Sequence, residues 1–255
     1  MGGTDGGPTP SGRTAATCGS FPSCAPEGAR EKVRVSGVIL AAGRGERFGG
    51  QENKALALLC GRPLLYHSLV AFARAGVVDE LVVVARPGEE PLVEGALAEV
   101  PLPGRVVRGG ERRQDSARAG VLAASGELVL IHDAARPLVS PELIRRVVAA
   151  ARKHGAAVPI LPVVDTIRRV DGRGFLRAGQ VPREGLVRIQ TPQGFRRELI
   201  LSAYAEAEKR SFLLSDDAAA VLAMGRPVAA VPGDPRNLKI TYPEDLALAE
   251  GLLGG

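Results

Sequence analysis

Residues 38–50 read VILAAGRGERFGG: the β-branched, apolar Val38-Ile39-Leu40 runs into a loop of four glycines and three charged side chains. A glycine-rich turn at a strand end lets backbone amides close on phosphate oxygens, and the glycine spacing separates the motifs that share this trait. Here the glycines fall at 43, 45, 49 and 50. Phe48 stands at the third position of a dinucleotide fingerprint, so that reading fails. A Walker A loop fails as well, because no Gly-Lys-Ser/Thr occurs. What remains is a pliant loop with Arg47 inside it and Lys54 seven residues on, two cations able to wrap around a polyphosphate.

Outward from this loop, short β-branched runs alternate with stretches of helical period. GVILAA is followed by LLYHSLVAFARAG, ELVVVA, a helical stretch at 91–100 and RVV; then come QDSARAGVLAAS, ELVLIHDAA, PELIRRVVAAARKHG and AAVPILPV. Strands that are apolar along most of their length predict an α/β fold: a mainly parallel twisted sheet with helices on both faces, and ligands beyond the strand C-termini. The loop after Leu40, residues 109–116 and residues 132–137 then share one edge. The alternation breaks at 164–187, where polar, β-prone stretches flank Asp171-Gly172-Arg173-Gly174 and predict a protruding β-arm. An exposed arm of this kind needs a covering partner, so a homodimer is expected. Helical period returns at 196–209 and 216–224. A strand near Val228, a further strand at NLKIT (237–241) and a helix opened by Pro243-Glu244-Asp245 close the domain, which is expected to span 35–255.

Bulk properties narrow the function classes. With 255 residues and 45% hydrophobic content the chain can bury a full core. The charge of +5 is spread over 33 basic and 28 acidic residues, which suits a small anionic ligand. Three Tyr, six Phe and no Trp leave no stacking platform for single strands, and no basic run is dense enough for a DNA-binding arm, so nucleic acid is not an expected partner. No apolar run approaches the length of a membrane span, so no membrane association is expected. Cys18, Cys24 and Cys60 form neither a disulfide framework nor a zinc knuckle and point to the cytoplasm. Residues 1–34, rich in Gly, Pro, Ser and Thr and lacking a signal-peptide core, read as a disordered leader outside the fold.

LAAGRGERFG followed by NKAL resembles the opening of the nucleotidyltransferases that join a nucleoside monophosphate to a sugar or polyol phosphate. GGERRQDS (109–116), HDAARP (132–137), DTIRRV (165–170), QTPQGF (190–195), SDDA (215–218) and NLKITYPEDL (237–246) extend the likeness to one branch. That branch is the 2-C-methyl-D-erythritol 4-phosphate cytidylyltransferases of non-mevalonate isoprenoid biosynthesis. Seven motifs in register cover nearly everything after residue 35. The resemblance implies a Rossmann-like nucleotidyltransferase fold and transfer of CMP from CTP to methylerythritol phosphate. Two departures stand out: Asn53-Lys54-Ala55 replaces the usual Pro-Lys-Gln, and Ser215 replaces Thr. Without proline the loop loses a fixed φ and is expected to be more mobile when empty. No second catalytic domain is read, so fusion to the next pathway enzyme is not expected.

The same likeness assigns roles. Arg47, Lys54 and Lys239 are expected to stabilise charge about the α-phosphorus, and Asp133 to serve a Mg2+ and nucleotide site. Ala41, Ala42, Gly43, Gly45, Gly109, Gly110 and Ser116 would hold the nucleotide, small residues bringing backbone groups to the pyrimidine edge. Arg136, Thr166, Arg183, Thr191 and Ser215 would meet the acceptor. Thr166 and Arg183 lie at the two ends of the arm, so active sites shared across a dimer are a further expectation. His132 is assigned a structural hydrogen-bonding role, and Asp216-Asp217 the opening of a helix. A cytidylyltransferase for another polyol phosphate such as ribitol 5-phosphate, or a catalytically silent nucleotide-binding regulator, are the alternatives.

Overall fold

Strand β1 (Val35–Leu40) sits inside the sheet with both faces covered, which is why Val35, Val38 and Ile39 are all wholly buried. The computed structural model describes residues 33–43, 45, 48 and 53–254. Of the leader expected over 1–34, only Val33 and Arg34 fall within that range. Beyond β1 come a short hairpin, β2 (Leu58–Leu59) and β3 (Arg62–Pro63), then helix α1 (Leu64–Arg74), β4 (Glu80–Ala85), α2 (Glu90–Ala98) and β5 (Gly104–Arg108). Helix α3 (Arg113–Ala123), β6 (Leu128–Asp133), α4 (Pro141–His154) and β7 (Ala156–Pro162) follow. The chain ends with β8 (Val187–Ile189), β9 (Gln193–Arg196), α5 (Arg197–Lys209), α6 (Asp217–Ala223), β10 (Ala229–Pro232) and α7 (Glu244–Gly254).

The main sheet runs β10-β7-β9-β6-β1-β4-β5, with β8 added beside β7. Strand β1 is parallel to both β4 and β6, and β4 to β5. The chain therefore winds one way through β4 and β5 and returns through α3 to lay β6 on the other side of β1. The reversal opens a crevice at the C-terminal ends of β1 and β6, where Leu40 is paired with Asp133. Helices α1, α2 and α4 bury their apolar stripes on one face, through Leu69, Phe72, Val93 and Val147, and α3, α5 and α6 cover the other through Val121, Ile200 and Val221. Gly120 lets α3 come close: a Cβ there would lie 2.4 Å from Val38 Cγ1, so the helix holds its N-terminus at the crevice only without a side chain.

Two sequence-based expectations change. NLKIT forms no strand. Ile240 N–H instead donates to the Ala135 carbonyl at 2.8 Å, and its side chain packs with Leu59, Leu64 and Ala249, so this segment is tied to a loop and not to a ladder. The arm is a small turn closed by one bridge, Val170 to Leu176, and not two strands; Asp171 Oδ1 accepts from the Arg173 and Phe175 amides and takes over the turn's donors. Residues Val187–Ile189 leave the arm and pair back onto β7. Strand β9 enters antiparallel between β6 and β7, a local departure within the mainly parallel sheet that was expected.

At the opposite edge from the crevice, Glu80 is 2% exposed. Its Oε1 accepts from Ser36 Oγ at 2.6 Å and from Ser125 N and Oγ at 2.7 Å, and its Oε2 from Arg105 Nη2 at 2.9 Å. Burial pushes this carboxyl up, but those hydrogen bonds and the Arg105 charge prevail and lower its pKa from 4.5 to about 2. Because the folded value is the lower one, the stabilisation is complete above pH 4.5 and is lost as pH falls through about 2. Glu80→Gln is expected to cost on the order of 3 kcal/mol at pH 7 and to flatten the acid limb of stability in urea melts. A variant as stable as wild type at pH 7 would contradict this.

Candidate active site

The crevice opens into a cleft of about 840 Å³ lined by the end of β1, the loop from β4, the loop into α3, Asp133 and Lys239. Among the described residues, five cationic side chains, Lys54, Arg86, Arg112, Arg113 and Lys239, line it against two acidic ones, Glu111 and Asp133. Such a wall attracts an anion carrying several charges.

Asp133 is the node of the site. Its Oδ2 accepts from Lys239 Nζ at 2.7 Å, and its Oδ1 from Arg113 Nε and Nη2 at 3.2 and 3.1 Å. Burial opposes ionisation, but Arg113 and Lys239 hold the carboxyl far below the usual carboxylate range. Arg113 reaches onward to Asp217, which is 1% exposed, with contacts of 2.9 and 3.1 Å, and Tyr204 Oη donates to Asp217 at 2.7 Å. Burial works against the Arg113 charge, yet Asp133 and Asp217 raise its pKa above the ordinary arginine value. Asp216 caps α6 by accepting from Ala219 N–H at 3.1 Å, and Asp217 follows it in the first turn.

Two loops approach closely above β1. Ala41 N–H donates to the Val84 carbonyl at 2.9 Å and Gly109 N–H to the Ala85 carbonyl at 2.8 Å. A Cβ on Gly109 would lie 2.6 Å from Ala42 Cβ, so glycine is what allows the two loops to meet. Ser116 Oγ accepts from Gly110 N–H at 3.1 Å and so anchors this loop to α3. Gly43 and Gly45 line the mouth, Gly45 with φ of +63°. Lys54 sits in a single 3-10 turn, Lys54–Leu56, capped by Asn53, whose Oδ1 accepts from Ala55 N–H at 3.0 Å. Asn53 is 4% exposed and also donates from Nδ2 to the Ala41 carbonyl at 2.6 Å.

Of the residues singled out in the sequence, Ala41, Ala42, Gly43, Gly45, Lys54, Gly109, Gly110, Ser116, Asp133 and Lys239 come together on this cleft. Arg47 lies outside the described residues. Arg136 and Thr191 stand behind Asp133: Arg136 Nη1 donates to the Asn237 carbonyl at 2.8 Å, while Thr191 Oγ1 contacts Asp133 N at 3.2 Å and His132 Nδ1 at 3.0 Å. His132 is wholly buried, with its Nε2 3.2 Å from the Arg136 carbonyl. Burial is the main cause that lowers its pKa to about 4, so it is neutral near pH 7. Thr166, Arg183 and Ser215 are exposed, and Arg183 donates to the Val164 carbonyl at the base of the arm.

Sequence reasoning passed over Arg113. The signal was present: Arg113 and Ser116 are three positions apart, which places both on one face of α3. Arg86 and Asn53 carried no such signal, because the contacts that place them join distant segments. The family model of IspD, 2-C-methyl-D-erythritol 4-phosphate cytidylyltransferase, matches residues 35–255. The chain is 47% identical over 222 residues to the 2-C-methyl-D-erythritol 4-phosphate cytidylyltransferase of Deinococcus radiodurans, spanning 87% of this chain and 90% of that protein. It is 42% identical over 223 residues to that of Frankia casuarinae, spanning 86% and 81%. The crystal structure of the Thermus thermophilus enzyme of the same name matches with a TM-score of 0.73 at 41% identity, covering 86% of this chain and 98% of that one. The 4-diphosphocytidyl-2C-methyl-D-erythritolsynthase of Anaerococcus prevotii matches with a TM-score of 0.77 at 30% identity, covering 88% and 100%. A chain matched by the family model over residues 35–255, and 47% identical to a relative across most of both proteins, belongs to the 2-C-methyl-D-erythritol 4-phosphate cytidylyltransferase family.

Proposed function

We propose that this protein transfers a cytidylyl group from CTP to 2-C-methyl-D-erythritol 4-phosphate. The observation that carries the reading is the convergence of Lys239 and Arg113 on Asp133 in the strand-end cleft that Lys54 also lines. The acceptor is a phosphate monoester whose second pKa is about 6, so at neutral pH it is already largely anionic. One of its oxygens attacks the α-phosphorus, the bond from that phosphorus to the bridging oxygen breaks, and pyrophosphate leaves with the electron pair. No general base is required. The one histidine at the site, His132, is neutral and engaged by Thr191 and the Arg136 carbonyl.

The barrier is electrostatic. Two unit charges 4 Å apart interact by roughly 4 kcal/mol at an effective dielectric near 20, so an anion meeting a polyanion needs several converging cations. Lys54 and Lys239, with Arg47 from the glycine loop, are assigned that role. Ala41, Ala42, Gly43, Gly45, Gly109, Gly110 and Ser116 are assigned to the nucleotide. Arg136, Thr166, Arg183, Thr191 and Ser215 are assigned to the acceptor. Asp133 fits a magnesium site: it is a hard oxygen donor kept ionised by its neighbours. Among the described residues no cluster of three His, Cys, Asp or Glu offers a complete cage, so phosphates and water would supply the other ligands. Magnesium, when bound, neutralises charge on the triphosphate.

A cytoplasmic, homodimeric enzyme completes the reading. No helix of the described chain is long and apolar enough to cross a membrane, and Cys60 is an exposed free thiol. On the arm, Phe175 and Leu176 are 67% and 73% exposed, an apolar surface that a second copy would cover. Light scattering is expected to give about twice the 26.6 kDa chain mass, and mixing Arg47→Ala with Arg183→Ala chains to recover activity if sites are shared. A single-chain mass removes the dimer, and a dimer without recovery removes the sharing. Pyrophosphate release measured across four nucleoside triphosphates and several polyol phosphates is expected only with CTP and methylerythritol phosphate. Turnover confined to UTP or to ribitol 5-phosphate would overturn the assignment.

A further inference from the structure

Asn53 precedes the cleft lysine and joins three segments through one side-chain amide. Its Oδ1 accepts from Ala55 N–H in the lysine turn. Its Nδ2 donates to the Ala41 carbonyl, just beyond β1, at 2.6 Å and to Glu89 Oε2, at the entry to α2, at 2.5 Å. Glu89 Oε1 in turn lies 3.3 Å from Nη1 of Arg86 on the cleft wall. The backbone φ at Asn53 is −71°, within the range that a proline ring imposes. Hydrogen bonds thus hold a dihedral that covalent ring closure could otherwise fix. The charged side chain next in sequence, Lys54, lines the cleft beside Ala41.

We propose that Asn53 is a positioning residue for Lys54: its buried amide clamps the lysine turn to the end of β1 and to Glu89, so that the ammonium meets the triphosphate already placed. Glu89 is the outer half of the clamp, holding Nδ2 of Asn53 while Arg86 holds Glu89. The inference rests on the assignment of Lys54 to the triphosphate, and a double-mutant cycle separates the two.

Lys54→Ala alone is expected to lower kcat by about 10²- to 10⁴-fold, the scale of losing a preorganised charge. Asn53→Ala is expected to lower kcat by roughly 10- to 100-fold, as for a misplaced reacting group, with the KM for CTP changed less than about 3-fold because the lost contact acts on the transition state. In the Lys54→Ala background the same substitution is expected to change kcat by less than about 3-fold, since nothing is left to position. Asn53→Pro, which restores the dihedral by its ring, is expected to return kcat to within about 3-fold of wild type; it also provides the reading should Asn53→Ala fold poorly. Wild-type turnover in Lys54→Ala defeats the lysine assignment. A slow Lys54→Ala with a fully active Asn53→Ala defeats the clamp alone. So does an equal loss from Asn53→Ala in both backgrounds, or an Asn53→Pro as slow as Asn53→Ala.

Discussion

Lys239 Nζ stands 2.7 Å from Asp133 Oδ2 while Arg113 grips the other oxygen, and this charge cluster around a buried carboxylate at the crevice between β1 and β6 is the constraint around which the cleft is arranged. A carboxylate this enclosed is costly unless cations surround it. Asp133 therefore draws together elements remote in sequence: α3 through Arg113, the chain near its C-terminus through Lys239, and α6 through the Arg113–Asp217 pair. The electrostatic work of gathering positive charge is done during folding. On the proposed reading, an arriving triphosphate would meet ammonium and guanidinium groups already gathered, which is the condition under which charge stabilisation is most effective.

The sheet makes this arrangement possible because its winding reverses at β1. Parallel strands on both sides of β1 place the loop at Ala41 and the loop at Asp133 side by side, and the close approach of Gly109 to Ala42 brings in a third. The buried helix faces keep those loops in register. Gly120 against Val38 carries this from the core to the site, since a side chain there would push α3, and Arg113 with it, away from Asp133.

Most of the frame was legible from the amino-acid order for a definite reason. Strands β1, β4 and β6 are buried on both faces, so they read as continuous apolar runs, and the helices between them carry clear apolar stripes. Strand β9 was not legible: Gln193-Gly194-Phe195-Arg196 is too short and mixed to announce itself, and only its partners make it a strand. NLKIT misled because Ile240 and Thr241 favour extended backbone, which a loop tied to Ala135 also provides. On the cleft, Lys54 and the small residues carried local signals. The Asn53 clamp depends on Glu89, 36 residues away, and the Arg113 bridge depends on Asp217, 104 residues away, and neither separation leaves a periodic trace.

Assigning Lys54 and Lys239 to a bound triphosphate makes one structure decisive. In a crystal of the protein with CTP and magnesium, the Lys54 and Lys239 ammonium groups should lie within hydrogen-bonding reach of phosphate oxygens, over the mouth formed by Gly43 and Gly109. A nucleotide bound with both side chains turned into bulk water, away from its phosphates, would contradict the account.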